Sequence, residues 1–390
     1  MSLSINSTYT KIQDPSWSVT RDALVVESTW SSFPDFKFKF DIEIELSNGD
    51  LEIVYSVSHF PNPVNAFGIL NPSVVLRSYL SNKPGVISEG ILDNNIKYNV
   101  YVSETSQVLE DSGVTLQTDI KVIPGYICFL GAQDYRKSIP ATVDYKFSGG
   151  VDKKFLSPFQ ETYLGDNEYL PLSVLMPAEV STYYYTITIY HTGGTTDTVT
   201  APTFTMGADY KYVHRLAVGS IDYPLDIVDW TKYIVELKSG TTTYATYTVN
   251  YKAKQSCYGN NQYAFLNSMG EYDYITFTGK KRLKDIITND QWSKYLDFNY
   301  SSGDRGNANI HQTTNQTFVH TTGVLNETEN NFLIAMVNSS DVYSIEDGVA
   351  IPVNIQTKKL TNLSKVNRDR IYSYSIEFAY SYSDDKQNVI

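Results

Sequence analysis

Cysteine is nearly missing from this chain. Cys128 and Cys257 stand far apart and neither belongs to a C-x-x-C pair. A disulfide framework or cysteine-based zinc site is therefore not expected, and both read as free buried thiols. Histidine is scarce too. His59, His191, His214, His311 and His320 are scattered, and only the last two share a polar segment. No cysteine or carboxylate flanks them at ligand spacing, so they read as surface histidines rather than metal ligands or a catalytic pair. Positive charge is in deficit, with a net charge of −12 and a pI near 4.9. A sequence-independent nucleic-acid binder needs a basic stripe to neutralise phosphates. The one dense basic cluster, Lys280-Lys-Arg-Leu-Lys284, and the weaker Lys358-Lys359 read as solvated faces.

Long apolar runs are absent, so no membrane-spanning segment is expected. The stretch Met1–Thr8 has neither a basic region nor an apolar run, and no signal peptide is expected there. The Asn-x-Ser/Thr sequons at Asn6, Asn299, Asn315, Asn326, Asn338 and Asn362 are read as chance occurrences in an Asn- and Thr-rich chain folded in a reducing cytosol. Catalytic motifs are missing as well: there is no G-x-S-x-G, Walker A, Rossmann glycine pattern or H-E-x-x-H. Asp41, Glu43 and Glu45 alternate along one strand and read as its solvent face. Asp273 lies amid aromatics. It is either a general acid with a raised pKa or a hydrogen-bonded structural carboxylate at a turn, and the second reading is preferred. The expectation is a non-enzyme with no catalytic residue, no cofactor and no metal.

What the chain has in abundance is tyrosine, 32 residues in 390. Apolar residues fill every even position from Phe36 to Leu46, and again from Tyr372 to Tyr382. Period-2 alternation marks half-buried strands, and Tyr suits their pleated surface. Tyr also covers area while keeping a hydroxyl wet, which suits protein–protein contact. The predicted fold is all-β: several β-sandwich domains with extended arms and one or two short helices. A chain of 44.0 kDa exceeds one ordinary core, and three units are expected: an N-terminal β domain with an arm over 1–140, a β-sandwich over 141–251, and a mixed, mostly β domain over 252–390.

In the first unit, strands are predicted at Phe36–Leu46, Leu51–Val57, Val74–Tyr79, Tyr98–Val102, Thr115–Val122 and Tyr126–Leu130. Ser47-Asn-Gly-Asp50 is a hairpin turn, since Asn-Gly tolerates positive φ. The three prolines of Phe60–Pro72 predict a long loop without regular structure. In the second unit an arm at Phe155–Phe159 precedes Tyr169–Leu175. Strands follow at Tyr183–Tyr190, Thr198–Phe204, Tyr210–Val218, Lys232–Leu237 and Tyr244–Tyr251, with turns at His191–Thr196 and Gly240. In the third, Asp290–Leu296 predicts a helical turn and Asn299–Thr317 a surface loop. Residues 328–338 hold the best helix, with Thr328 as its cap. Strands return at Val342–Ile345, Val349–Ile355 and Tyr372–Tyr382.

One stretch carries most information: Phe265-Leu-Asn-Ser-Met-Gly-Glu-Tyr-Asp-Tyr-Ile-Thr-Phe277. It has an apolar entry, an Asn–Gly corner where Gly270 supplies positive φ, and an aromatic strand with Tyr272, Tyr274 and Thr276 on one face. It resembles a phrase of tail and neck proteins of tailed bacteriophages infecting Bacteroidota: aromatic, Leu-Asn-x-x-Gly-Gly, aromatic-Asp-aromatic, Thr-Phe. Glu271 replaces the second glycine and Phe265 the usual Trp. Phe36–Asp41 with Pro61-Asn-Pro63 and Phe67-Gly-Ile69 resembles the N-terminal part of such proteins. Phe332–Tyr343 with Ile351–Ile355 resembles their C-terminal part. The nearest comparison is the ring proteins of the tail barrel of crAss-like phages.

That resemblance implies a virion structural protein, assembled in the host bacterial cytoplasm and localised to the tail or neck. Its partners would be copies of itself in a homo-oligomeric, about dodecameric ring, together with neighbouring tail, ring or portal proteins. Genome DNA would pass through without specific binding, and no membrane anchor is implied. Phe265, Leu266, Asn267, Gly270, Tyr272, Asp273 and Tyr274 form the expected architectural motif. The segment Met1–Trp30 is expected to reach an adjacent subunit. The alternatives are a carbohydrate-binding β-sandwich surface protein, a receptor-binding tail component and, more weakly, a polysaccharide-degrading enzyme.

Overall fold

The computed structural model describes residues 4–5, 24–27, 37–45, 50–59, 67–70, 73–76, 78–79, 84, 90–92, 95–110, 113–129, 155–175, 182–205, 213–220, 230–252, 258, 260–293, 295, 298–301, 306–357, 359–360, 372–381 and 384–386. The fold is all-β, as the alternation requires.

The N-terminal third contributes β1 (Ser4–Ile5), β2 (Leu24–Glu27), β3 (Lys37–Glu45), β4 (Leu51–His59), β5 (Phe67–Leu70), the short helix α1 (Ser73–Leu76), β6 (Gly90–Leu92), β7 (Asn95–Glu110) and β8 (Gly113–Phe129). An antiparallel sheet runs β4-β3-β7-β8. Along β3 the pleat buries Phe40, Ile42 and Ile44 and turns Lys39, Asp41, Glu43 and Glu45 to the other face. Glu45 pairs with Leu51, so β3 and β4 form the expected hairpin, although the turn at 46–49 is outside the described residues.

Three expectations fail here. Val74–Leu76 is helical, not extended: the turn follows Pro72, whose fixed φ suits a helix start, and Val75 O accepts Ser78 N and Oγ. The proline-rich segment contains β5, because its prolines stand outside 67–70 and leave the strand's donors intact. β5 pairs with β2, which pairs with β1, so the described part of the N-terminal segment pairs within its own chain. Finally, β8 is one strand rather than two. Pro124 is tolerated because β8 is the last strand of its sheet and the register shifts opposite Tyr98–Val100.

The middle third supplies β9 (Glu161–Leu164), β10 (Pro171–Leu175), β11 (Thr182–His191), β12 (Thr196–Thr200), β13 (Phe204–Thr205), β14 (Val213–Ala217), β15 (Trp230–Ser239) and β16 (Thr242–Tyr251). One sheet runs β12-β11-β15-β16-β9, with β9 parallel to β16 and β13 on β11. A second runs β10-β14-β6. The two share a core in which Tyr185, Ile187, Val235, Tyr247 and Val249 meet Leu172, Val174 and Leu216, a sandwich-like arrangement. Both predicted turns have left-handed glycines, Gly194 at φ 80° and Gly240 at φ 58°.

The last third holds β17 (Asn261–Leu266), β18 (Tyr272–Phe277), β19 (Lys281–Ser293), β20 (Asn307–Thr321), helix α2 (Glu327–Val337), β21 (Val342–Glu346), β22 (Val349–Ile355), β23 (Ser375–Tyr380) and β24 (Asp384–Lys386). The sheet order is β18-β17-β21-β22-β23-β20-β19, with β24 on β20. The sheet curls: Thr278 N donates to Thr322 O at 3.1 Å and Thr321 N to Lys280 O at 3.2 Å, joining the end of β18 to the end of β20. Gly279 permits this seam, because a Cβ there would collide with the Thr321 carbonyl. Phe332, Leu333 and Met336 of α2 pack among Phe265, Phe277, Phe318 and Phe378.

Of the expected helical turn at Asp290–Leu296, residues 290–293 are the end of β19, and much of the expected loop 299–317 is β20. A ladder from Lys281↔His320 to Ser293↔Asn307 overrides weak local signals. The helix starts one residue before the expected range, and its cap is Asn326 rather than Thr328. Asn326 Oδ1 accepts Glu329 N at 2.9 Å while Glu329 Oε2 accepts Asn326 N at 3.0 Å, a reciprocal capping box. Thr328 instead donates to Glu161 Oε1 at 2.9 Å.

The expected break near 140 lies outside the described residues. Near 252 the chain passes from β16 to β17, and there the cores adjoin. Ala264, Tyr272 and Tyr274 belong to the middle core; Tyr263, Phe265, Ile275 and Phe277 belong to the C-terminal one. The expected arm at 155–159 joins the same junction, with Phe155 in the middle core and Phe159 stacked on Phe332 at 3.9 Å. Phe332→Ala should therefore unpack α2 from both neighbours. The expected loss is about 3–5 kcal/mol of stability, measurable by chemical denaturation with retained strand circular dichroism.

Candidate functional site

The seven motif residues all lie on the β17–β18 hairpin and its corner. Phe265 is fully buried and meets Phe332 edge-on at 6.2 Å. Leu266 packs against the middle core, and its carbonyl accepts Ser339 Oγ at 2.9 Å. Asn267 makes the corner. Its Oδ1 accepts Met269 N at 2.8 Å and Glu271 N at 3.3 Å. Its Nδ2 donates to Leu156 O at 2.9 Å and Asp273 Oδ2 at 3.0 Å. Gly270 has φ 89°, where a side chain would be strained. Tyr272 donates to Asp341 Oδ2 at 2.6 Å, and burial and that carboxylate hold its hydroxyl far above the usual range. Tyr274 is buried in the middle core.

Asp273 is a buried strand carboxylate. Burial pushes its pKa up to about 7, while hydrogen bonds from Ser157 and Asn267 oppose the shift and the charge of Glu271 adds to it. It is held by fixed donors and does not line the cleft described below. Its place fits the structural reading rather than the general-acid one.

Sequence reasoning missed a set of buried charges around this hairpin. Glu271, the residue where the resembled phrase has glycine, accepts Arg215 Nη2 at 3.1 Å and Ser173 Oγ at 2.9 Å. Lys252 donates to Glu329 Oε1 at 2.5 Å and Thr276 O at 3.0 Å. Glu168 accepts Thr276 Oγ1 at 2.6 Å, Asn260 Nδ2 at 2.8 Å and Gly165 N at 2.9 Å. Burial raises its pKa despite those donors. Apart from Gly165, three residues before Glu168, these partners are tens of residues apart in sequence, and the capping box of Glu329 is the feature with a local signature. Glu168, Lys252, Asp166, Asn260, Gln262 and Asp347 line a polar cleft of about 540 Å3.

The histidines correct another expectation. His320 is fully buried, not a surface residue. Tyr263 OH lies 2.7 Å from its Nδ1, and Nε2 is 3.3 Å from Gly279 O. Burial lowers its pKa to about 4, aided by Lys281 and opposed by the Gly279 carbonyl, so it is neutral at pH 7. His214 is buried as well, and burial lowers its pKa to about 4. His311 lies on β20 opposite Asp290. No group of three His, Cys, Asp or Glu able to hold a metal occurs among the described residues.

Among the described residues, a cluster of exposed apolar side chains lies at the β19–β20 hairpin. Trp292 and Tyr300 are exposed, Tyr295 is 95% exposed and Phe298 88%. Leu283, Ile286 and Ile287 are exposed nearer its base. No helix among the described residues is long and apolar enough to cross a membrane.

No protein-family model matches the chain, and no curated protein matches it. Among solved structures, one similar chain is the tetra-tandem repeat in the extending region of a large adhesion protein. The match has 12% identity over 95% of this chain and 89% of that one, with a TM-score of 0.17. That likeness is too slight to inform fold or function.

Two outcomes test the corner. Gly270→Val should lose soluble yield or thermal stability, because a β-branched residue at positive φ is strained. Asp273→Asn should change the pH dependence of stability. With its native pKa raised above the unfolded value, Asp273 binds more protons folded than unfolded between about pH 4 and 7. Wild-type stability should therefore fall as pH rises through that window, relative to the variant, by up to about 4 kcal/mol. Denaturation midpoints of both proteins at pH 4, 5.5 and 7 measure it, and parallel curves would refute it.

Proposed function

We propose that this protein is a non-enzymatic structural component of a tailed-bacteriophage virion, forming a homo-oligomeric ring in the neck or tail through which the genome passes. The observation supporting the assembly part is the β19–β20 hairpin, whose tip holds Trp292, Tyr295, Phe298 and Tyr300 in solvent. Large apolar patches on soluble chains mark interaction sites. The virion part rests on the resemblance carried by Phe265–Phe277. Identical subunits in head-to-tail contact close into rings when the rotation permits. A net charge of −12 per chain would repel DNA in the channel rather than hold it. The buried hairpin β17–β18 serves this role as a rigid wall between two cores, and Asp273 and His320 act there as packing groups.

The polar cleft beside Glu168 and Asp347 favours a second reading, in which a β-sandwich surface protein binds carbohydrate through carboxylate and amide side chains. Mass photometry and negative-stain microscopy of the purified chain separate the two. Closed rings of uniform copy number are the expected outcome. A monomer at micromolar concentration that binds oligosaccharides on an array would replace the ring with the second reading.

A further inference from the structure

Among the sheet edges of the described residues are β19, which pairs only with β20, and β4, which pairs only with β3. Both carry apolar side chains in solvent. On β19 Leu283 is 71% exposed; on β4 Leu51 is 57% and Ile53 56% exposed. Long uncovered edges with apolar residues are sites where another chain pairs or packs.

Their charges are of opposite sign. Lys280, Lys281, Arg282 and Lys284 crowd the base of the β19–β20 hairpin, in a chain of net charge −12. From Asp41 to Glu52 the β3–β4 hairpin carries five carboxylates and no lysine or arginine. Glu43 faces Ile53 across the ladder and Glu45 faces Leu51, so acidic and apolar groups alternate on one surface. On β19, Arg282, Lys284 and Ile286 share one face of the strand, and all three are exposed.

We propose that the β19–β20 hairpin of one copy docks on the acidic β3–β4 surface of a second copy. The contact is heterologous: the two surfaces differ, so it propagates from copy to copy and closes into a ring rather than a two-fold dimer. It rests on the ring reading above and names the surfaces that build the ring. Arg282 and Lys284 meet Glu43 and Glu45, while Ile286 covers the Leu51–Ile53 stripe. The tip aromatics extend the contact. An aromatic side chain buries ~150–250 Å2, so four largely exposed ones can supply most of the ~800 Å2 each partner gives in a standard interface. The basic base sets orientation and register, since charge complementarity selects the partner surface and suppresses wrong ones.

The test is a charge-swap series in the full chain, read by mass photometry across concentration. Arg282 and Lys284 are exposed and Glu43 and Glu45 half-buried, and circular dichroism checks that each variant folds. Arg282→Glu with Lys284→Glu, and separately Glu43→Lys with Glu45→Lys, should each raise the concentration for half-assembly at least about tenfold. The four substitutions combined should restore assembly to near the wild-type concentration. Equal assembly of wild type and both single-surface variants, or weakening that the combination does not restore, overturns this contact and leaves the ring reading standing. A wild-type chain that stays monomeric overturns both. Monomers that cosediment with phosphatidylglycerol vesicles would assign the hairpin to a lipid surface instead.

Discussion

The structure depends on one constraint: the β17–β18 hairpin is buried on both faces. Each residue of β18 from Tyr272 to Phe277 is buried. A strand in that position has no solvent to satisfy its polar groups or absorb a misfit. Alternation divides its side chains between the middle and the C-terminal core. At the corner joining its strands Ser268 is exposed but Asn267, Gly270 and Glu271 are buried, so their polar groups need partners within the chain. One amide side chain, Asn267, supplies four of those bonds. Its reach to Leu156 also fixes the incoming segment, so that Phe155 and Phe159 enter different cores.

Around this wall the chain buries charge. Arg215 with Glu271, and Lys252 with Glu329, are nearly solvent-free ion pairs. Removing such charges from water costs several kcal/mol per ion, and the mutual attraction roughly offsets that only with good geometry and further hydrogen bonds. Ser173 and the Thr276 carbonyl provide those. The pairs therefore add specificity more than stability, since a shifted register would leave a charge unpaired. Lys252 is the clearest case. It stands where β16 gives way to β17, and its ammonium ties the Thr276 carbonyl of β18 to the first turn of α2.

The surface follows a different logic. Apolar and aromatic groups stay in solvent on β19 and at the hairpin tip, while His320 and Tyr263 are sealed at its base. A hairpin anchored by a packed base and left bare beyond it is the surface the proposed assembly would use. The wall and the bare hairpin share the C-terminal sheet, linked through β20, β23 and the seam at Gly279.

Much of this was legible in sequence. Period-2 alternation gave β3, β11 and β22 nearly to their ends and the middle of its 372–382 stretch as β23, and Gly270, Gly194 and Gly240 announced left-handed turns. Those features are local: a pleat puts alternate side chains on opposite faces, and only a residue without Cβ sits easily at positive φ. What local signals could not decide was which strands lengthen. β7, β8, β19 and β20 extend because a partner ladder satisfies each backbone group in turn, overriding the helical reading of Asp290–Leu296 and the loop reading of 299–317. They also could not reveal that His320 is buried, that Glu271 answers Arg215, or that Lys252 answers Glu329. Burial and ion pairing belong to residues distant in the chain, and only tertiary packing brings them within reach of each other.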